Sequence, residues 1–280
     1  MDVWERWLSV DRFTGSGPQE VEAGLALIDQ IRGWLLQESR LGPGQTVLEL
    51  GCGAGELLPR LLDVVGPEGR VLALEHSAGL CARARAGVAG HPGADRCTVT
   101  EGDMRQIPFA PASVDVVVCR AVLQYAERDL PRVAAEVARV LRPGGRIVAF
   151  EVLPADSTPL LPVPAGDAER HAHAAATARW QALPYALGRA DLVRAFGPPA
   201  FLPAAVTVNL TEWRQPFSAE AFGETLLQVP RPGCPPLHAV YTEGLAPDLR
   251  AAWDRLLGSA TIAAQRGAVG YLSAQRAATA

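Results

Sequence analysis

Short apolar runs alternate with amphipathic segments through the middle of the chain. This is the pattern of βαβ units and a parallel sheet. The apolar runs predict five strands, over residues 46–50, 70–75, 97–100, 113–119 and 146–152. Amphipathic or glycine-bounded segments between them predict helices over residues 55–65, 77–88 and 130–141. The fourth strand is a nearly continuous apolar run, which is typical of a strand buried on both faces.

The flanking segments follow other patterns. Residues 20–38 carry apolar side chains on one face, so we expect a leading helix packed on the sheet. Residues 153–166 hold four prolines and no periodicity, which predicts a linker. Residues 167–196 are predicted to be helical, with an interruption near Pro184. Two further strands are predicted over residues 206–213 and 268–274, and two further helices over residues 219–227 and 248–265. We therefore divide the chain into four parts. Residues 1–40 form a helical lid and residues 41–153 a ligand-binding core. Residues 154–200 form a helical cap for substrate, and residues 201–280 are C-terminal elements that complete the core.

Composition indicates one globular unit of 280 residues with enough chain to bury a core. The net charge of −4 and the absence of a long arginine run argue against a nucleic-acid partner. No stretch of eighteen apolar residues occurs, and the first residues are acidic. We expect a cytoplasmic monomer or homodimer that acts on a small molecule and has no membrane partner.

All 26 basic residues are arginine, which excludes Schiff-base catalysis on lysine and a phosphate-binding loop that ends in lysine. The cysteines are odd in number and never form a CxxC pair, so we expect reduced thiols and no thiolate zinc site: Cys52, Cys81, Cys97, Cys119 and Cys234. His171 and His173 lie two positions apart, where a helix would point them in different directions. We therefore expect no metal.

A glycine-rich turn, residues 51–55, joins the first strand to a helix. Glycines let the backbone approach a ligand and the helix terminus offers free N–H groups, so the turn predicts a nucleotide-type site. The dinucleotide fingerprint would place glycine at position 56, where the chain has Glu56. A carboxylate at that helix end disfavours a pyrophosphate. The site is expected to prefer a ligand that is not strongly anionic.

Carboxylates follow three of the predicted strands. Glu75, a little over twenty residues past the glycines, is positioned to accept hydrogen bonds from two ribose hydroxyls. Asp103 could accept from an adenine amino group, with Met104 packing on the ring. Together with Glu49, these acids suit a nucleoside that also carries an ammonium and a sulfonium.

The sequence resembles the class I S-adenosylmethionine-dependent methyltransferases, in the branch that includes quinone-biosynthesis and natural-product enzymes. Five motifs in order carry the resemblance, which covers about residues 20–152: residues 47–55, 74–75, 102–104, 109–117 and 141–145. The resemblance implies an α/β, Rossmann-like sheet of seven strands, mostly parallel with the last strand antiparallel. Helices would lie on both faces, with a helical cap insertion, and S-adenosylmethionine would be the cofactor.

The resemblance also implies roles for individual residues. Glu49, Gly51 and Gly53 would contact the methionine part of the cofactor, Glu75 the ribose, and Asp103 with Met104 the adenine. Arg12 stands in a leading segment where many relatives have a tyrosine, and could pair with the cofactor carboxylate. The full cofactor-binding set is Arg12, Glu49, Gly51, Cys52, Gly53, Glu75, His76, Asp103, Met104, Arg120 and Gln124.

Candidates for the acceptor side are less specific. Aromatic residues are expected to contact substrate, with ordinary core packing as the alternative: Phe13, Tyr125, Trp180, Tyr185 and Trp213. A general base could be His171, His173, His238 or Tyr241.

We expect transfer of a methyl group to oxygen, nitrogen or carbon of a small molecule, in secondary metabolism. Three alternatives remain open from the sequence. The cofactor could support cyclisation or decarboxylation without methyl transfer, the protein could be a non-catalytic sensor, or it could be an NAD-dependent oxidoreductase, which Glu56 opposes.

Overall fold

A computed structural model of the chain describes residues 1–10, 17–160, 166–182, 186–215, 239, 242–259 and 263–278. Its strands are β1 (Thr46–Leu50), β2 (Arg70–Glu75), β3 (Cys97–Glu101), β4 (Val114–Arg120), β5 (Leu141–Val152), β6 (Thr158–Leu160), β7 (Ala205–Gln215) and β8 (Ala263–Gln275). Its helices are α1 (Val3–Ser9), α2 (Pro18–Ser39), α3 (Leu58–Val65), α4 (Ala78–Val88), α5 (Leu130–Val140), α6 (Asp167–Gln181), α7 (Arg189–Ala195) and α8 (Pro247–Ser259). Short 3₁₀ turns cover Ala94–Arg96, Leu123–Asp129 and Pro154–Asp156.

The strands form one mixed sheet in the order β3, β2, β1, β4, β5, β8, β7. The first five run parallel. β8 runs antiparallel to both β5 and β7, so β7 has the same direction as the first five strands. The three-residue β6 pairs with β8 beyond the point where β5 ends. The predicted seven-stranded sheet with an antiparallel last strand is confirmed, with β6 as an addition.

Alternation along the strands sends side chains into a separate core on each face of the sheet. Val47 and Val116 pack with α3 and α4 on one face. Leu48 and Val117 pack with α5 on the other. Helix α2 covers β5 through a third cluster: Ile31, Leu35, Val148 and Phe150. The predicted helices on both faces, including the leading helix, are confirmed.

The carboxyl ends of β1 and β2 are joined by the glycine-rich turn. The backbone N–H groups of Gly51 and Cys52 both donate to the Leu74 carbonyl, at 2.8 and 3.2 Å. Ser77 caps α4 by accepting from the Leu80 N–H at 3.1 Å, as its position predicts. These contacts bring the ends of the first strands to one edge of the sheet, where parallel folds bind ligands.

Two predicted boundaries near the turns were wrong. Helix α3 begins at Leu58 rather than residue 55, because Gly55 has a φ of +83° and lies against Ala84 of α4. Strand β5 begins at Leu141 rather than residue 146. Leu141 pairs with Val114, and the register then shifts so that Arg146 pairs with Val116. The Pro-Gly-Gly segment is therefore an irregularity inside a strand.

Two predictions in the C-terminal half were also wrong. The expected linker over residues 153–166 contains a 3₁₀ turn and β6, and residues 263–265 belong to β8 rather than to a helix. Long-range pairing with β8 determines both. The predicted helix over residues 219–227 lies outside the described residues, and the division of the chain into four parts stays a prediction. Among the helices that the structure describes, none has the length and apolar character needed to cross a membrane.

Candidate active site at the carboxyl ends of the strands

A cavity of about 580 Å³ opens at the carboxyl edge of the sheet, between the strand ends and helices α1 and α2. Ten of the eleven predicted cofactor residues line it: Glu49, Gly51, Cys52, Gly53, Glu75, His76, Asp103, Met104, Arg120 and Gln124. Tyr125, a predicted substrate contact, lines it as well. The remaining cofactor candidate, Arg12, lies outside the described residues. The strand ends thus bring together residues that are far apart in the sequence.

The glycine turn forms the floor of the cavity. Gly51 has a φ of +67°, and a Cβ at this position would collide with the side chain of Val122. Gly53 has a φ of +58°. Positive φ and close approach both require glycine at position 51, as the sequence motif predicts.

Glu75 ties the strand ends together. Its Oε2 accepts from the Gly53 N–H at 2.9 Å, and its Oε1 accepts from the N–H groups of His76 and Ser77 at 2.8 and 3.0 Å. A carboxylate has about four acceptor positions, so these three bonds leave capacity for a ligand hydroxyl. Glu75 is both part of the cavity wall and the acceptor that fixes the glycine turn.

Glu49 of β1 also lines the cavity and is almost fully buried. Its Oε2 has no hydrogen-bond partner among the described residues. Burial raises the pKa of Glu49 to about 8, an effect that the nearby Arg120 guanidinium opposes. Burial likewise lowers the pKa of Arg120. Its guanidinium makes no hydrogen bond with any residue that the structure describes. A buried carboxyl group and a half-buried guanidinium therefore both face the cavity with unused hydrogen-bonding capacity.

Arg32 of α2 is a cavity residue that the sequence analysis missed. It lies 3.3 Å from Glu56, measured from Nη2 to Oε2. Arg32 shares the inner face of α2 with Ile28 and Leu35, at spacings of four and three residues. One cation on an otherwise apolar stripe is the signal that could have identified it.

Asp103 and Met104 border the cavity beyond β3. The Asp103 Oδ1 accepts from the backbone N–H of Arg105 at 2.7 Å and lies 3.4 Å from the Arg105 guanidinium. The other oxygen, Oδ2, makes no hydrogen bond within the described part of the chain. Asp103 is thus an available acceptor at the cavity wall beside Met104, and the adenine role of these two residues stays a prediction.

Helix α1 lies over the cavity. Trp4, Trp7 and Leu8 line it, and the Trp4 ring meets the Tyr125 ring edge to face, with centroids 4.7 Å apart. Asp2 caps this helix through the N–H groups of Trp4 and Glu5, and its other carboxylate oxygen accepts from the Ser77 hydroxyl at 2.5 Å. The N-terminal helix is therefore held against the start of α4.

Two histidines predicted as general bases, His171 and His173, are described by the structure and do not line this cavity. His171 is exposed and His173 is half-buried, and neither lines the cavity wall. Helix α6 turns the small side chains of Ala172 and Ala176 inward instead. His238, Tyr241, Phe13 and Tyr185 lie outside the described residues, as do the side chains of Trp180 and Trp213.

Among the residues that the structure describes, no group of three or more His, Cys, Asp or Glu side chains could hold a metal ion. Burial raises the pKa of Cys52 and Cys119 far above the usual range, and that of Cys97 to about 11. These thiols stay protonated at neutral pH. Cys234 lies outside the described part of the chain.

Residues 47–145 match a family model described as "Methyltransferase domain". The chain is 35% identical over 113 residues to an arsenite methyltransferase of Halobacterium salinarum, covering 40% of this chain and 28% of that protein. It is 33% identical over 116 residues to a demethylmenaquinone methyltransferase of Symbiobacterium thermophilum, covering 41% of this chain and 45% of that protein. The chain therefore spans less than half the length of these curated relatives.

The fold also matches a solved structure along most of its length. A geranyl diphosphate C-methyltransferase from Streptomyces coelicolor superposes with a TM-score of 0.54 at 16% identity, covering 93% of this chain and 86% of that chain. This similarity concerns the fold. The ten predicted cofactor residues that line the cavity all lie within the matched segment. Residues 47–145 of this chain therefore match a methyltransferase domain in sequence.

Proposed function

We propose that this protein binds S-adenosylmethionine in the strand-end cavity and transfers its methyl group to a small molecule. The observation that carries the proposal is the placement of charge around the cavity. The cavity is lined by a carboxyl group and a guanidinium with unused hydrogen-bonding capacity, Glu49 and Arg120, and by two further carboxylates that follow strands, Glu75 and Asp103. The methionine and nucleoside ends of the cofactor need these two kinds of partner.

The methionine end of the cofactor carries both an ammonium and a carboxylate. The orphaned Glu49 Oε2 fits the ammonium, since a buried acceptor without a partner is unfavourable until a donor reaches it. The Arg120 guanidinium fits the carboxylate, because Arg32 already pairs with Glu56 at 3.3 Å. This assigns to Arg120 the role expected of Arg12.

The nucleoside end needs acceptors for ribose hydroxyls and an adenine amino group. Glu75 retains acceptor capacity after binding three N–H groups, and Asp103 retains Oδ2. Met104 offers a polarizable sulfur for packing against a ring. These roles follow the sequence expectation for the nucleoside.

The cofactor supplies a methyl group on a positively charged sulfur. The nucleophile of the acceptor bonds to the methyl carbon as the carbon–sulfur bond breaks, and the sulfur leaves as S-adenosylhomocysteine. The protein residues position the reactants in line and exclude water. Trp4, Trp7 and Leu8 of α1 cover the cavity with apolar surface. Gln124, Tyr125 and Pro154 line the part next to the ends of β4 and β5, where we place the acceptor.

The acceptor is a small molecule with an oxygen, nitrogen or carbon nucleophile, and a role in secondary metabolism fits this proposal. The two curated relatives are named for different acceptors, arsenite and demethylmenaquinone. The match over residues 47–145 therefore supports the cofactor, and we assign the choice of acceptor to Gln124 and Tyr125 together with parts of the chain beyond the matched segment.

The test has two stages. Calorimetry with S-adenosylhomocysteine should give one binding site per chain, and NADH should give none. Incubation with methyl-labelled S-adenosylmethionine and a small-molecule extract should then yield S-adenosylhomocysteine and a labelled product. Cofactor binding with an unlabelled, rearranged product would favour the non-methylating alternative. Binding of NADH alone would overturn the proposal.

A further inference from the structure

One wall of the cavity is the segment that follows β4, residues 121–125. Ala121 has a φ of +56°, and its N–H donates to the Phe150 carbonyl at 2.7 Å. The chain turns there, and four residues of the segment line the cavity: Ala121, Val122, Gln124 and Tyr125. A turn that exposes consecutive backbone N–H groups needs an acceptor to hold it.

Glu151 of β5 is that acceptor. Its Oε1 accepts from the N–H groups of Val122 and Leu123, each at 2.9 Å, and its Oε2 accepts from the N–H of Gln124 at 3.3 Å. The side chain is fully buried and is absent from the cavity wall. It therefore contacts the segment from behind.

Holding a carboxylate in this place is unfavourable for folding. Burial raises the pKa of Glu151 to about 7, although three backbone hydrogen bonds and Arg120 act in the opposite direction. A complete buried ion pair can often be replaced by apolar side chains without loss of stability. A carboxylate is needed here because three converging N–H groups would otherwise be buried without an acceptor.

The same segment contacts the cofactor side of the cavity. The Val122 side chain fills the space where a Cβ on Gly51 would lie. A shift of residue 122 would therefore loosen the packing on the glycine turn. Because Glu151 binds the backbone of residues 122–124, it acts indirectly on the glycine turn and on the Gln124 and Tyr125 side chains.

We propose that Glu151 is a positioning residue, whose carboxylate holds residues 122–124 in the shape that aligns the glycine turn with the acceptor wall. Its contact with the segment is independent of any ligand, whereas its effect on cofactor binding rests on the proposed function. Glu151 belongs to none of the five motifs that carry the family resemblance, and it lies within a buried strand, so nothing in the sequence marks it as a site residue.

The test compares Glu151→Gln and Glu151→Ala with Ile147→Ala. Ile147 is a fully buried residue on the same strand, four positions before Glu151, and its strand partners are Val117 of β4 and Ala274 of β8 rather than the segment. The glutamine side chain keeps one oxygen that accepts from the N–H groups of Val122 and Leu123. Its amide nitrogen is a donor and would face the Gln124 N–H, which is also a donor. We therefore expect a graded series, with alanine more severe than glutamine.

Two readouts separate a local role from general destabilisation. Without ligand, amide hydrogen exchange at residues 122–124 should rise at least about tenfold in Glu151→Ala, and less in Glu151→Gln. In Ile147→Ala, exchange at these amides should rise no more than in the neighbouring strands. The dissociation constant for S-adenosylhomocysteine, from calorimetry, should rise about tenfold in Glu151→Ala and less than about threefold in Ile147→Ala.

Unchanged exchange at residues 122–124 in both Glu151 variants would overturn the positioning role. Faster exchange with unchanged affinity would overturn its link to the ligand. If Glu151→Ala does not fold, the same criteria apply to Glu151→Gln. Failure of the wild-type protein to bind S-adenosylhomocysteine would instead count against the proposed function, and the exchange result would still decide whether Glu151 holds the segment.

Discussion

Glu49 makes the binding of a cationic ligand depend on pH. Burial raises the pKa of this carboxyl from its usual 4.5 to about 8, so at pH 7 about nine-tenths of the ligand-free protein holds a proton there. An arriving ammonium favours the ionised form. Binding should therefore release close to one proton at pH 7, and affinity should rise with pH until about pH 8.

The size of the effect follows from the same value. At about 1.4 kcal/mol per pKa unit, a rise from 4.5 to about 8 corresponds to about 5 kcal/mol. The folded-state pKa is raised, so this contribution to the free energy of unfolding is fully present below pH 4.5 and is lost as pH rises to 8. The ligand-free protein should lose up to about 5 kcal/mol across this window, relative to Glu49→Gln.

The assay is calorimetry with S-adenosylhomocysteine at pH 7, in two buffers that differ in ionisation enthalpy. The difference in observed enthalpy gives the protons released. Wild type should release about 0.9 proton more than Glu49→Gln, and its affinity should change up to about tenfold per pH unit between pH 6 and 8. Because burial also raises the pKa of Glu151, to about 7, only the difference between wild type and variant is assigned to Glu49. Equal proton release by both proteins would refute the reasoning.

Three further predictions concern other parts of the site. Glu75→Ala should weaken S-adenosylhomocysteine binding by about 1–3 kcal/mol in calorimetry, the usual effect of losing a charged acceptor, and an unchanged affinity would contradict the ribose role. Gly51→Ala should lower the free energy of unfolding in urea by more than Gly44→Ala, because both have positive φ but only position 51 collides with Val122; equal losses would argue against close packing. Trp4→Ala should remove about 0.5–1.5 kcal/mol of ring contact with Tyr125 and speed amide exchange in α1, whereas unchanged exchange would show that this contact does not hold α1 over the cavity.

The sequence predicts the central strands well because each is a short run of apolar residues, which indicates a buried strand without reference to distant parts of the chain. β1 matches its predicted bounds, and Ser77 caps α4 where a short polar residue precedes an apolar pattern. The strand-end acids were predictable for the same reason, since Glu49 and Glu75 directly follow apolar runs. Their side chains meet at one edge because parallel strands share a direction.

Features that depend on distant partners were missed. The bounds of β6 and β8 come from pairing across more than a hundred residues, which periodicity does not encode. The start of β5 comes from the pairing of Leu141 with Val114 of β4. Arg32 reaches the cavity only because α2 crosses the sheet above it. His171 and His173 lie away from the cavity because α6 directs its alanines inward, a choice that one helical segment in isolation does not reveal.

The position of β8 has a consequence for how the molecule assembles. This strand is inserted between β5 and β7, and Arg146 meets Gln275 only after well over a hundred intervening residues. Until β8 docks, β5 and β7 each present a row of unpaired backbone groups, the surfaces on which polypeptides misassociate. Nucleation should therefore begin among β1, β2 and β4, with insertion of β8 as the late step that limits the rate of folding.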